Sequence, residues 1–130
     1  MNQSWIKPLF IVAGLYDAVL GLAFLVAPGR LFDAFDVAPP SHMAYVQFPA
    51  LLLLLFAAMF FQIAANPTAR RELMLYGCGL KIAYCATVIW DQNSTGVPSM
   101  WVPWAWADLV FLVLFVMAWR VTAPAADART

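Results

Sequence analysis

Three ionisable side chains stand inside long apolar stretches of this sequence: Asp17, Lys81 and Asp108. A charged group buried in hydrocarbon costs several kcal/mol, on the order of 3 at the centre of a membrane helix, so such residues face one another or a cavity and rarely lipid. Taken together they are an acid, a base and a second acid. One pairing neutralises the lysine and leaves a carboxyl over, and that carboxyl holds a proton or awaits a cation or a polar ligand. The competing reading is a buried salt bridge that only decides which helix packs on which.

Depth supports their meeting. Asp17 lies ten residues beyond Lys7, Lys81 ten beyond Arg71, and Asp108 twelve before Arg120. At helical rise these separations are roughly 15, 15 and 18 Å from one membrane face, near the midplane in every case. Helical periodicity then selects their neighbours. Gly14, Asp17 and Gly21 share a face on which another backbone can come close. Cys78, Lys81, Tyr84 and Cys85 share a second. Trp101, Trp104 and Asp108 form a stripe that continues to Phe111, Leu112 and Phe115. Trp104, one turn before Asp108, is expected to line the same space. Gln47, toward the outer half of its segment, completes the candidate ligand- or proton-binding set of Asp17, Lys81, Asp108, Tyr84, Trp104 and Gln47.

The elements that must hold these residues are legible from hydropathy. The chain has 130 residues, of which 65% are hydrophobic and 11% charged, a composition far from that of a soluble domain. Four apolar runs, 8–27, 43–65, 73–90 and 100–119, each match a hydrocarbon core roughly 30 Å thick. In lipid every backbone polar group must be satisfied within the segment, and no strand-like alternation points to a barrel. The expected fold is therefore all-α: an integral membrane four-helix bundle, a single transmembrane domain over residues 1–130 with a short polar tail at 122–130. The first run carries Asp17 centrally and lacks a small-x-small cleavage pattern, so it reads as a retained helix and not as a secretion signal.

Turn chemistry punctuates the runs at Pro28-Gly29, Pro39-Pro40-Ser41, Asn66-Pro67-Thr68 and Asn93-Ser94-Thr95-Gly96. Lys7, Arg70, Arg71, Arg120 and Arg129 fall on one side, against Arg30 on the other. The positive-inside bias puts both termini in the cytoplasm, N-in and C-in. Trp5, Trp90, Trp101 and Trp119 lie at span ends and read as headgroup anchors. Leu31, Phe32 and Phe35, at helical spacing in the first outer loop, suggest a short helix lying on the membrane surface, or a lid.

Several function classes lack machinery. Net charge is zero, so nothing draws the chain to nucleic acid. One histidine, His42, leaves no haem-ligating pair and no zinc set, and no intrinsic cofactor is expected. Cys78 and Cys85 are seven residues apart in one helical run, roughly 10 Å, too far to bridge. No nucleophile–base pattern or phosphate-binding glycine loop is present, so whether the protein is an enzyme stays open.

The first span with Gly14-Leu15-Tyr16-Asp17 and Gly21-Leu22, the following Pro28-Gly29-Arg30-Leu31-Phe32, the Pro39-Pro40 loop and three further spans of similar length together resemble the DoxX-like superfamily of small four-helix membrane proteins. The resemblance covers nearly the whole chain. It implies a role at or beside a quinone or redox partner, or an assembly role, and carries no residue-by-residue catalytic signature. Two readings follow: a carrier or membrane subunit whose interior cluster binds a proton and a small polar or amphipathic ligand, quinone or lipid-like; and a non-catalytic accessory subunit of a larger complex. The expected partners are the lipid bilayer and a membrane protein or second copy, with a cell membrane, a bacterial inner membrane, as the location.

Overall fold

The computed structural model describes residues 3–94 and 99–124. Helix α1 spans Ile6–Val26, α2 Pro28–Ala34, α3 Ala44–Ala65, α4 Leu73–Ser94 and α5 Val102–Val121, with a single 3-10 turn, Ser99–Trp101, before α5. No strand occurs among the described residues. Helices α1, α3, α4 and α5 are each 20 to 22 residues long and apolar enough to cross a membrane. This is the expected all-helical membrane bundle. Of the expected turn Asn93-Ser94-Thr95-Gly96 the first two residues are helical, while Thr95-Gly96, Arg129 and most of the polar tail lie outside the described residues.

Helix ends differ from the hydropathy boundaries where polar groups can be satisfied within the helix. Helix α1 begins two residues early because Pro8 is its third residue, where a backbone N–H has no intrahelical partner to lose. Helix α4 runs a full turn past Trp90 to Ser94, whose hydroxyl donates to the carbonyls of Trp90 and Asp91. That turn is polar, so hydropathy ends the segment before the helix does.

Small residues set which helices lie closest. A Cβ at Gly21 would come within 2.9 Å of the Ala50 carbonyl oxygen, and one at Gly14 within 2.6 Å of the Phe61 ring. The glycine face of α1 is thus pressed on α3, backbone to backbone, with Ala13, Ala50 and Ala57 buried in the same seam. Helices α4 and α5 form the second close pair. The two pairs meet through large rings: Phe10 stacks on Phe115 at 4.8 Å, and Phe60 lies against both. Ile6, Ile63, Met74 and Ala118 close this core to solvent.

The ends of α1, α4 and α5 are tied beside it. Gln3 Nε2 donates to the Val121 carbonyl at 2.7 Å. Arg71 Nε donates to the Trp119 carbonyl at 2.9 Å while its guanidinium lies 4.1 Å over the Trp119 ring. Lys7, Arg70, Arg71 and Arg120 therefore share one end of the bundle with the described N-terminal residues and the 66–72 turn.

At the opposite end α2 folds back at once after Ala27. Its C-terminus closes in a Schellman motif, with Val37 N–H on the Phe32 carbonyl and Asp36 N–H on the Asp33 carbonyl. Asp36 takes the left-handed position, φ 55°, that usually belongs to glycine. The motif sets Phe32 inward. Phe32 is 3% exposed, edge-on to Phe24 and Trp101, so α2 is docked on the end of the bundle through this ring while Arg30 and Asp33 stay exposed.

Candidate functional site

Asp17 on α1, Lys81 on α4 and Asp108 on α5 meet at mid-bundle. Lys81 Nζ donates to Asp17 Oδ1 at 3.2 Å and to Asp108 Oδ1 at 3.0 Å. Their exposures are 0%, 1% and 7%, so the cluster is buried. The ammonium also lies over the rings of Phe111, Tyr16 and Phe60 at 5.2, 5.4 and 5.6 Å. Two carboxylates and three ring faces replace its water shell.

Between this charged layer and α2 the bundle is hollow. A cavity of about 500 Å³ is lined by α1, α3, α4, α5 and the segment following α2. Asp17, Asp108 and Tyr16 lie at the charged layer and contribute to its lining. Leu20, Phe24, Ala50, Leu53, Leu80, Tyr84, Trp101 and Trp104 form the walls, and Phe32, Val37 and Pro40 close the end under α2. Tyr45 and Leu52 line it yet are exposed, which places a mouth on the outer surface of α3, toward the acyl chains. Pro49 lines the same stretch and has no N–H for the Tyr45 carbonyl.

The polar atoms around this space are incompletely satisfied. Asp17 Oδ2, Tyr16 Oη and Trp104 Nε1 are buried without a hydrogen-bond partner among the described residues, and all three residues line the cavity. A buried polar group left open costs about 1–3 kcal/mol. Beside the cavity, Asp17 Oδ2 is thus an unpartnered acceptor, and Tyr16 Oη and Trp104 Nε1 are unpartnered donors.

Of the residues singled out from sequence, Asp17, Lys81, Asp108, Tyr84 and Trp104 come together. Lys81 itself does not line the cavity and sits behind the two carboxylates. Tyr84 contributes its ring, while its hydroxyl is committed to the Trp101 carbonyl at 2.8 Å. Gln47 does not join: it is exposed on α3, and Val46 beside it turns inward. The sequence position of Gln47 specified depth but not face. Trp101, read both as a headgroup anchor and as the first member of the Asp108 stripe, stacks on Phe24 at 5.5 Å and lines the cavity, as the stripe requires. Missed altogether were Tyr16 and Phe24; only the helical face shared by Tyr16, Leu20 and Phe24 signalled them, and an apolar face looks the same toward lipid as toward a cavity. Cys78 and Cys85 are free thiols, the second donating to the Ala105 carbonyl at 3.5 Å. His42 is exposed beside Tyr45.

Compared with protein-family models, with curated proteins and with solved structures, the chain matches none.

Proposed function

We propose that this membrane protein binds a small amphipathic, membrane-soluble molecule, its apolar body in the cavity and its polar end on the Asp17–Lys81–Asp108 layer. The single observation that carries this is the coincidence of an apolar cavity of about 500 Å³ with three unsatisfied polar atoms on residues that line it. Ligand sites have that composition: mostly apolar walls and a few converging polar groups. Asp17 Oδ2 accepts from the ligand, whereas Tyr16 Oη and Trp104 Nε1 donate to it. Lys81 positions the carboxylates from behind. A quinone or a lipid-like molecule suits this description, and the DoxX-like resemblance favours a membrane subunit of a redox system or a carrier in a bacterial inner membrane.

The test is native mass spectrometry of the protein extracted in mild detergent. One small molecule is expected to remain bound to the wild type and to be absent from Leu20→Trp, whose indole fills the space. A bare wild-type protein, or equal occupancy of the two, overturns the reading. A second reading, an accessory subunit in which the cluster is purely a lock, is favoured by the full pairing of Lys81 with both acids. A bare protein that retains a stable membrane partner supports it.

The proposed orientation is N-in and C-in, from the basic residues gathered at one end. Single cysteines at Asn93 or Ser94, in a chain lacking Cys78 and Cys85, are expected to react with an impermeant thiol reagent in intact cells. Reaction only after lysis inverts the topology.

A further inference from the structure

We infer that the molecule the cavity takes is an organic cation: a protonated or quaternary amine, or a comparable onium centre, on an apolar body. This rests on the reading of the cavity as a binding site and narrows it, selecting a cationic lipid-like molecule over a neutral quinone. Charge balance comes first. With all three groups ionised the layer carries one ammonium against two carboxylates. Among the described residues no basic side chain lines the cavity: Lys81 sits behind the carboxylates, α3 has no charged residue, and Arg30 on α2 is exposed and outside the lining. In that ionised state the residual charge facing the cavity is negative and draws a cation, whose binding takes the place of the proton that the surplus carboxyl would otherwise hold.

The walls point the same way. Tyr16, Phe24, Tyr84, Trp101 and Trp104 line the cavity, and ring faces attract cations and repel anions. The molecule already contains one example of this solvation, because the Lys81 ammonium lies over Tyr16 and Phe111 at 5.4 and 5.2 Å. Tyr16 in turn stands edge-on to Trp104 at 6.4 Å, so the aromatic surround of the lysine continues into the cavity wall. Asp17, wholly buried, keeps Oδ2 for a donor or a positive charge. A bare metal ion is a poor match. Hard cations want six or more oxygen ligands, and the described residues contain no metal-binding group. The size of the cavity and its lipid-side mouth select a bulky cation that partitions into membranes.

The experiment compares three probes of one chemical kind on the full-length protein in detergent, read by tryptophan fluorescence and equilibrium dialysis: tetraphenylphosphonium, neutral triphenylphosphine oxide, and tetraphenylborate. The cation is expected to bind at least tenfold tighter than the neutral probe, and the anion weakest of the three. Asp108→Asn removes the surplus charge and is expected to bring the cation-to-neutral ratio below threefold. The double variant Lys81→Met/Asp17→Asn keeps one net negative charge on Asp108 and is expected to retain the preference. Equal binding of cation and neutral probe by the wild type overturns the cation inference and leaves the amphipathic site standing. Binding of none of the three overturns both. A preference that survives Asp108→Asn unchanged also overturns the inference, because the charge of the layer would then not be its source.

Discussion

The two halves of this bundle, cut at the charged layer, are built from the same kinds of residue and packed in opposite ways. In the half that holds the helix ends tied by Gln3 and Arg71, Phe10, Phe60 and Phe115 interlock with Ile6, Ile63 and Met74, all at most 1% exposed. In the half under α2, rings of similar size stand around a cavity of about 500 Å³. Composition does not distinguish them. The same four helices border both; what differs is that interlocked rings fill the centre of the first, whereas in the second the rings line the walls and α2 with its following segment caps the end. Close packing is available to this sequence and is relinquished beside the charges, which is where a ligand has use for the space.

The comparison breaks most severely at the layer that joins the halves. Lys81→Met strands two buried carboxylates and is expected to cost about 3–5 kcal/mol, seen as a large fall in Tm in detergent. Adding Asp17→Asn is expected to recover part of that loss, since fewer buried charges remain unpaired. Strictly additive losses would show that the cluster is not coupled.

Opposite responses to added volume come next. Truncation in the dry half, Phe115→Ala, is expected to cost about 3 kcal/mol through the void it leaves. Enlargement there, Ala118→Leu, is expected to cost about 1–3 kcal/mol by overpacking. The larger insertion Leu20→Trp, in the hollow half, is expected to lower stability by less than about 1 kcal/mol. Thermal unfolding of the three variants in one detergent reads the contrast, and a Leu20→Trp loss as large as that of Ala118→Leu would mean that the space is not there.

The smallest effect concerns the glycines. Gly21→Ala drives a methyl to 2.9 Å from the Ala50 carbonyl and is expected to cost about 1–2 kcal/mol. Gly79, with nothing within 4 Å of an added Cβ, is expected to gain about 0.5–1 kcal/mol from the same change through helix propensity. The sign difference, measured as Tm, separates a packing glycine from an idle one.

Much of the site could be read in advance because charge is expensive in lipid. Asp17, Lys81 and Asp108 had a single economical arrangement, and they adopt it. Gly14 and Gly21 marked the seam with α3 for a related reason, since only small residues let two backbones approach. Trp104 was placed by its position one turn from Asp108. The miss falls on a residue whose burial is cheap on either side: Gln47 carries no full charge and tolerates the outer surface of α3.

By itself the sequence determined four spans, the depth of three charges and the faces on which they sit, because water, hydrocarbon and ionised groups differ by several kcal/mol and leave little choice. Tertiary structure alone decided that α2 docks through Phe32, that Lys81 lies behind its carboxylates and that one half of the bundle is hollow. Those outcomes turn on packing apolar surface against apolar surface. Lipid tails are as apolar as leucine, so the hydropathy of a residue cannot say whether it faces acyl chains, another helix or a cavity.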